Sequence, residues 1–239
     1  QKILYDHVSE AFEALNEGEE KLKRSIELGV GQLKIGVSST LCKYMLLPYL
    51  KEFIHRNPHI SISIECQSTN ETLKLLDDDK IDIGLIGKPA SLKTFNFYYL
   101  DNIEDIFVTT KDYLRNLSAR GVKKSEILQN STLMLLDKGN MTRKYIDDYL
   151  QENQIHVKDS IDISNMDLLI DFAKIGVGVA CVIKSIVSKE LADGTLIEIP
   201  LGIPIHKREV GFAYKESSKL STSLQTFIKF YESYTPEDF

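Results

Sequence analysis

Gln32-Leu33-Lys34-Ile35-Gly36-Val37-Ser38-Ser39-Thr40-Leu41 is where the fold can first be read. Leu33, Ile35 and Val37 alternate with their neighbours at the two-residue period of a half-covered strand. The hydroxyl run Ser38-Ser39-Thr40 then opens an apolar helical stretch that ends near Arg56, where Asn57-Pro58 stops it. Moving outward, Ile60, Ile62 and Ile64 alternate again. Ser68 followed by Glu71 is a capping-box pattern that starts a helix through Leu76, and Ile81 to Ile86 reads as a third strand. Strand, helix, strand, helix, strand implies a parallel sheet.

The same order recurs downstream without sequence identity. Thr132 to Leu136 is strand-like, Met141 to Glu152 helical, Ser160 to Ile163 strand-like, and Asn165 to Ile175 helical. Val177 to Ile183 is apolar and β-branched, like a strand buried on both faces. Between the two units lie Phe95 to Leu100 and Ile106 to Thr110. After them come Leu196 to Ile199, Val210 to Tyr214, and a last helix with Leu220, Leu224, Phe227, Ile228 and Tyr231 on one face. The expected class is α/β, two βαβαβ-type subdomains, with the final helix returning to the first unit.

Composition narrows the function. The 239 residues carry 29 Lys and Arg against 35 Asp and Glu, a formal charge of −6, with 43% hydrophobic and 27% charged residues. These are ordinary globular values, which exclude disorder, collagen or a coiled-coil rod as the whole answer. The acidic balance is wrong for a chain that itself grips a phosphate backbone. No apolar run approaches the roughly 18 to 20 residues of a membrane span, because Lys174 and Lys184 bracket the most hydrophobic stretch, Ile175 to Ile183. No membrane partner is expected. Cys42, Cys66 and Cys181 have no CxxC spacing and are too few for a disulfide framework, so reduced packing thiols and a cytoplasmic location are expected.

Residues 1–27 form a separate element. Leu4, Val8, Ala11, Leu15, Leu22 and Ile26 mark the 3.5-residue seam of a helix lying against another helix, with Gly18 in the vacant seam position. Glu17 to Lys21, Glu19 to Lys23 and Glu20 to Arg24 are i,i+4 pairs in the favourable orientation. A helix folded back on its own domain is the plain alternative. A narrow seam flanked by charge suits a partner helix better.

In open parallel sheets, ligands sit beyond the carboxyl ends of the strands, near helix N-termini. Those loops here are Ser38-Ser39-Thr40, Gln67 to Asn70 and Gly87-Lys88 in the first unit. In the second they are Asp137 to Thr142, Ser164-Asn165 and Lys184-Ser185. Small hydroxyls and amides hold a polar or anionic ligand, but do not by themselves break bonds. Each of Ser38, Ser68, Asn140 and Ser164 can equally be a helix cap worth about 1 kcal/mol. Catalytic patterns are weak: there is no GxSxG, HExxH or Walker loop. Pro58 separates His55 from His59, so no metal pair is expected. Gly176-Val177-Gly178 precedes a strand, the wrong context for a dinucleotide loop, and reads as helix termination. Asp77-Asp78-Asp79 reads as a solvated turn. Cys42 sits on the helix after the hydroxyl loop, where a thiol pKa can fall, although a packed inert thiol is the commoner outcome.

Taken in order, the charged helix, Gln32 to Gly36, the Ser/Thr loop, Tyr44-Met45-Leu46-Leu47-Pro48-Tyr49-Leu50, Phe53, Asn57-Pro58, Ile81 to Gly84 and Gly176 to Ala180 resemble the LysR-type transcriptional regulators. The resemblance covers the linker helix and the effector-binding region, essentially the whole chain. It implies two subdomains similar to the type 2 periplasmic binding fold, residues 31–107 plus 212–239 and residues 108–211, behind a linker or dimerisation helix at 1–27. It implies a small-molecule effector in the intersubdomain cleft, held by Ser38, Ser39, Thr40, Thr69, Gly87, Asn140 and Met141, to which the loop reading adds Asn165. Ser38 and Thr40 followed by Lys43-Tyr44 are similar to the loop by which sulfur-assimilation members hold a small anion. No cofactor and no catalytic residue are implied.

The family's winged helix-turn-helix is not in this sequence, and a truncated chain is the expectation. DNA would be a partner only through that domain. The seam residues Leu4, Val8, Ala11, Leu15 and Leu22 would pair with another subunit in a homodimer or homotetramer. Two alternatives share the fold: a solute-binding protein, and an enzyme drawing a general acid or base from Asp137, Lys88 or Lys184.

Overall fold

The computed structural model describes residues 2–27, 31–92, 94–216 and 220–236, with backbone alone for part of the first helix. Helix α1 (Lys2–Glu27) is about 39 Å long at 1.5 Å per residue. Its seam is open: Leu4, Leu15 and Leu22 are more than 60% exposed and Val8 47%, with Ala11 exposed among them. Tyr5 and Phe12, not anticipated as seam residues, are exposed on the same helix. The Ile26 side chain, the three i,i+4 pairs and the linker at 28–30 lie outside the described residues.

The first sheet begins with β1 (Gln32–Val37), whose Leu33, Ile35 and Val37 are fully buried. A short helical turn α2 (Ser39–Leu41) leads into a π-helical segment, Cys42–Leu46, and then α3 (Leu47–Arg56). The expected single helix is therefore interrupted. Pro48 has no N–H to give to the carbonyl one turn back, and the wider π turn ahead of it absorbs that loss. β2 (Ser61–Cys66), α4 (Thr69–Asp77) and β3 (Ile83–Gly87) complete the unit. Both β2 and β3 run parallel to β1, with Ile35 opposite Ile64 and Ile83.

Chain then leaves this sheet through β4 (Phe95–Ile103) and enters the second through β5 (Asp105–Thr109). Helices α5 (Lys111–Ala119) and α6 (Ile127–Asn130) precede β6 (Thr132–Leu136), α7 (Met141–Glu152), β7 (Asp159–Ile163), α8 (Met166–Lys174) and β8 (Val179–Ile183). α9 (Ser188–Asp193) and β9 (Ile197–Glu198) close the unit. β10 (Arg208–Lys215) returns to the first sheet, and α10 (Thr222–Ser233) follows.

Neither sheet is purely parallel. Their strand orders are β2-β1-β3-β10-β4 and β7-β6-β8-β5-β9. β10 lies antiparallel between β3 and β4, and β5 antiparallel between β8 and β9. Each βαβαβ unit is parallel as its local pattern implies, and the chain that crosses between units supplies the antiparallel strands. α10 covers the first sheet: its Phe227 meets Phe53 of α3 edge-on at 4.9 Å between ring centres, and its Tyr231 stacks on Phe212 of β10 at 4.6 Å. No described helix is long and apolar enough to cross a membrane.

Candidate functional site

The loops after β1, β2, β6 and β7 are built as caps. Ser38 Oγ accepts the Leu41 N–H, Ser68 Oγ the Glu71 N–H, Asn140 Oδ1 the Thr142 N–H, and Asn165 Oδ1 the Leu168 N–H. The capping box at Ser68 is half formed, since the Glu71 carboxylate accepts from Lys74. Ser164, the other candidate cap, yields that role to Asn165. Capping and ligand binding are compatible here, because a hydroxyl that accepts a backbone N–H still has a proton to donate.

A cavity lies between the two sheets. Ser38, Thr40, Thr69 and Gly87 line it from the first sheet, and Asn140 and Met141 from the second. Ser39 and Asn165 are not on this wall. They line an adjoining pocket at the mouth with Thr40, Lys43, Tyr44, Met166 and Asp167. The central cavity mixes hydroxyls with apolar side chains, Leu41, Ile103, Leu136, Met166 and Ile183. That is the composition of a site that orients a small polar molecule and keeps most water out.

Among the described residues, charge enters the cavity at one point. Arg208 lines it, and its Nε and Nη2 donate to Oδ2 and Oδ1 of Asp105 at 2.8 and 2.9 Å. Asp105 is buried, and the guanidinium lies 5.3 Å from the centre of the Tyr145 ring. Because Asp105 opens β5 and Arg208 opens β10, this fork joins the two crossings between the sheets. Arg143 of α7, which is buried, donates to the Leu136 carbonyl at 2.8 Å and to Asp162 at 2.6 Å, bracing the strand whose Leu136 lines the cavity. At the mouth, Lys43 Nζ donates to Asp167 Oδ2 at 2.7 Å and the Tyr44 hydroxyl to Oδ1. These bonds hold the Asp167 carboxyl below its ordinary range, Lys43 first and Tyr44 second. The Cys42 thiol is pushed up, not down: burial disfavours its thiolate, and the Cys66 thiol beside it adds to the effect. The nearby helical turn does not overcome that.

Residues 27–235 match the profile of the LysR substrate-binding domain. The chain belongs to that family. Among proteins of known sequence, this LysR domain is 23% identical over 201 residues to the transcriptional regulator YeiE of Escherichia coli K12, covering 84% of the chain and 67% of YeiE. It is 25% identical over 206 residues to the transcriptional activator CmpR of Synechocystis, covering 84% of the chain and 65% of CmpR. The chain thus spans about two thirds of the length of these relatives. Among solved structures, the CcmR regulatory domain of Synechocystis PCC6803, in complex with 2-PG, superposes with a TM-score of 0.70 at 19% identity, over 84% of this chain and 95% of that one. The effector-binding domain of QuiR in complex with shikimate superposes with a TM-score of 0.66 at 16% identity, over 84% and 94%. These likenesses carry the fold, two α/β subdomains of the type 2 periplasmic binding kind.

Sequence reasoning missed several residues of the LysR domain's cavity. Ser68 and Thr142 sit within loops already singled out, and only their side-chain directions were unread. Arg208 had no local signal, since it stands in the run Lys207-Arg208-Glu209 that looks like solvated charge. Met166 and Ile183 look like core, and they are core as well as wall. The three residues considered as a general acid or base do not line the cavity. Lys88 pairs with Glu209 at 2.6 Å, and Lys184 with Glu104 and Glu198.

Proposed function

We propose that this chain is the effector-sensing part of a LysR-type transcriptional regulator, in which a small polar or anionic metabolite binds between the subdomains and controls DNA binding through a helix-turn-helix outside this sequence. The observation that carries the reading is the cavity between the sheets, where hydroxyls of Ser38, Thr40 and Thr69 face Asn140 and Met141 across one space with Arg208 at its edge. The complexes of CcmR with 2-PG and QuiR with shikimate support a small-molecule occupant. The domain acts as a sensor and not as a catalyst, with no cofactor, in the cytoplasm. Ser39 and Asn165 guard the mouth.

An effector shifts the angle between subdomains only by its differential affinity for the two arrangements. Contacts from Ser38 and Thr40 on one side with Asn140 on the other supply that difference. The seam of α1 pairs with the same helix of a second subunit, so a change of angle alters how subunits stack and how the attached DNA-binding domains are spaced.

Isothermal titration against small carboxylates and phosphate esters tests the site. Combined Ser38→Ala and Thr40→Ala substitution is expected to weaken the ligand so found at least tenfold while Arg115→Ala, on α5, leaves it unchanged. Equal affinity in both variants would place the ligand elsewhere.

A further inference from the structure

Two of the three cysteines meet where the first sheet's loops begin. Cys66 ends β2, in register with Val37, the last residue of β1. Cys42 opens the π-helical segment one turn after Ser38, to whose carbonyl its N–H donates at 2.8 Å. Strand end and helix start lie side by side, and the Cys66 thiol interacts with that of Cys42. Their surroundings differ: Cys66 is exposed and Cys42 half-buried, whereas Cys181 is buried in the second sheet. Access to solvent and a second thiol beside it are two features of a redox-sensing cysteine, and Cys66 has both.

We propose that Cys42 and Cys66 form a reversible oxidative modification site whose oxidant is a hydroperoxide. The Cys66 thiolate attacks the outer peroxide oxygen. The O–O bond breaks, Cys66 becomes a sulfenic acid, and the other oxygen takes up a proton and leaves as water or an alcohol. The Cys42 sulfur then attacks the Cys66 sulfur, the S–O bond breaks, hydroxide leaves and collects the Cys42 proton as water, and a disulfide remains. Two thiols have lost two electrons and the peroxide has gained them. A dithiol reverses the change by thiol–disulfide exchange. Burial keeps the Cys42 thiol protonated at neutral pH, so the second step, which draws on its thiolate, quickens as pH rises.

The bond would tie the segment that carries Ser38 and Thr40 to the segment that carries Ser68 and Thr69. These are two walls of the cavity, so oxidation would stiffen them against each other. Only this consequence rests on reading the cavity as the effector site; the chemistry does not.

The test treats the protein with hydrogen peroxide, counts free thiols and maps peptides without reductant. Expected are the loss of two thiols of three, a crosslinked peptide joining Cys42 to Cys66, and full reversal by dithiothreitol. In Cys42→Ser, Cys66 is expected to remain as a sulfenic acid that dimedone traps. Retention of all three thiols, oxidation of Cys66 in wild type with no crosslink, or a Cys66–Cys66 bond between chains would overturn the site. Amide exchange of residues 38–46 and 67–70 is expected to slow at least severalfold in the oxidised form. Unchanged exchange with the disulfide present would overturn the stiffening and leave the chemistry standing.

Discussion

Lys43 reaches from the π-helical segment of the first subdomain to Asp167 at the start of α8 in the second, with 2.7 Å between Nζ and Oδ2. The Tyr44 hydroxyl meets the other oxygen of the same carboxylate. Asp167 thereby receives two donors from across the cleft, at the mouth of the pocket that Ser39 and Asn165 line.

Asp167→Ala is expected to relax the cleft toward a wider arrangement, seen as a larger radius of gyration by small-angle scattering at neutral pH. The wild-type profile should stay flat across neutral pH. Lys43 and Tyr44 lower the Asp167 carboxyl from its ordinary 3.8, so its contribution is present above that value and lost only as pH falls through the lowered one. Asp167 raises the Lys43 ammonium from 10.5, so that side is lost only as pH rises through the raised value. Identical profiles for variant and wild type would remove the tie from the closing equilibrium.

Asp105→Ala strands the Arg208 guanidinium in a largely buried place, since the side chains are 0% and 16% exposed. Breaking such a pair from one side costs about 3–5 kcal/mol, whereas replacing both members with apolar residues of similar volume costs far less. Urea unfolding should show a large drop for Asp105→Ala and substantial recovery in Asp105→Leu combined with Arg208→Met. A single variant within about 1 kcal/mol of wild type would show that water reaches the fork.

Gly178→Ala places a Cβ 2.2 Å from the Thr132 carbonyl oxygen, on the neighbouring strand. The Gly178 carbonyl also accepts the Thr109 hydroxyl at 2.8 Å, so this backbone cannot shift freely. A loss of roughly 1–3 kcal/mol in thermal or urea unfolding is expected. Gly139→Ala, where a Cβ meets no atom within 4 Å, should change little. Equal stability of the two variants would contradict the contact.

Leu15→Asp with Leu22→Asp on the open face of α1 is expected to lower the solution mass measured by light scattering, as deletion of residues 1–27 should. Both leucines are more than 60% exposed in the single chain, so the change is expected to take little from its own packing. A wild-type mass of one chain, unaltered by either change, would leave the seam without a role in assembly.

The elements were legible because their signals are local. β6 (Thr132–Leu136) and α7 (Met141–Glu152) have the bounds that periodicity and capping imply, and α8 lies within one residue of them at each end. Gly176 ends α8 with a φ of +78°, as the helix-termination reading of that run requires. Gly178, two residues on, is small because β6 passes close by, and no local pattern says so. The loops after the parallel strands were visible from order along the chain, and of the eight residues singled out in them six, Gly87 and Met141 among them, line one cavity. Ser39 and Asn165 point to the mouth because alternate residues of a turn face different ways.

What the residues determined alone was the succession of strands and helices, the class of fold and the family, since these rest on periods and order along the chain. Tertiary structure decided the rest. It inserted β10 antiparallel between β3 and β4, brought Arg208 onto Asp105 across 103 positions, and set Lys43 against Asp167 across 124. It also laid Cys42 beside Cys66. A residue far along the chain leaves no periodic trace of its partner; only the pairing of strands and the closing of two sheets around one cavity fix which side chains meet.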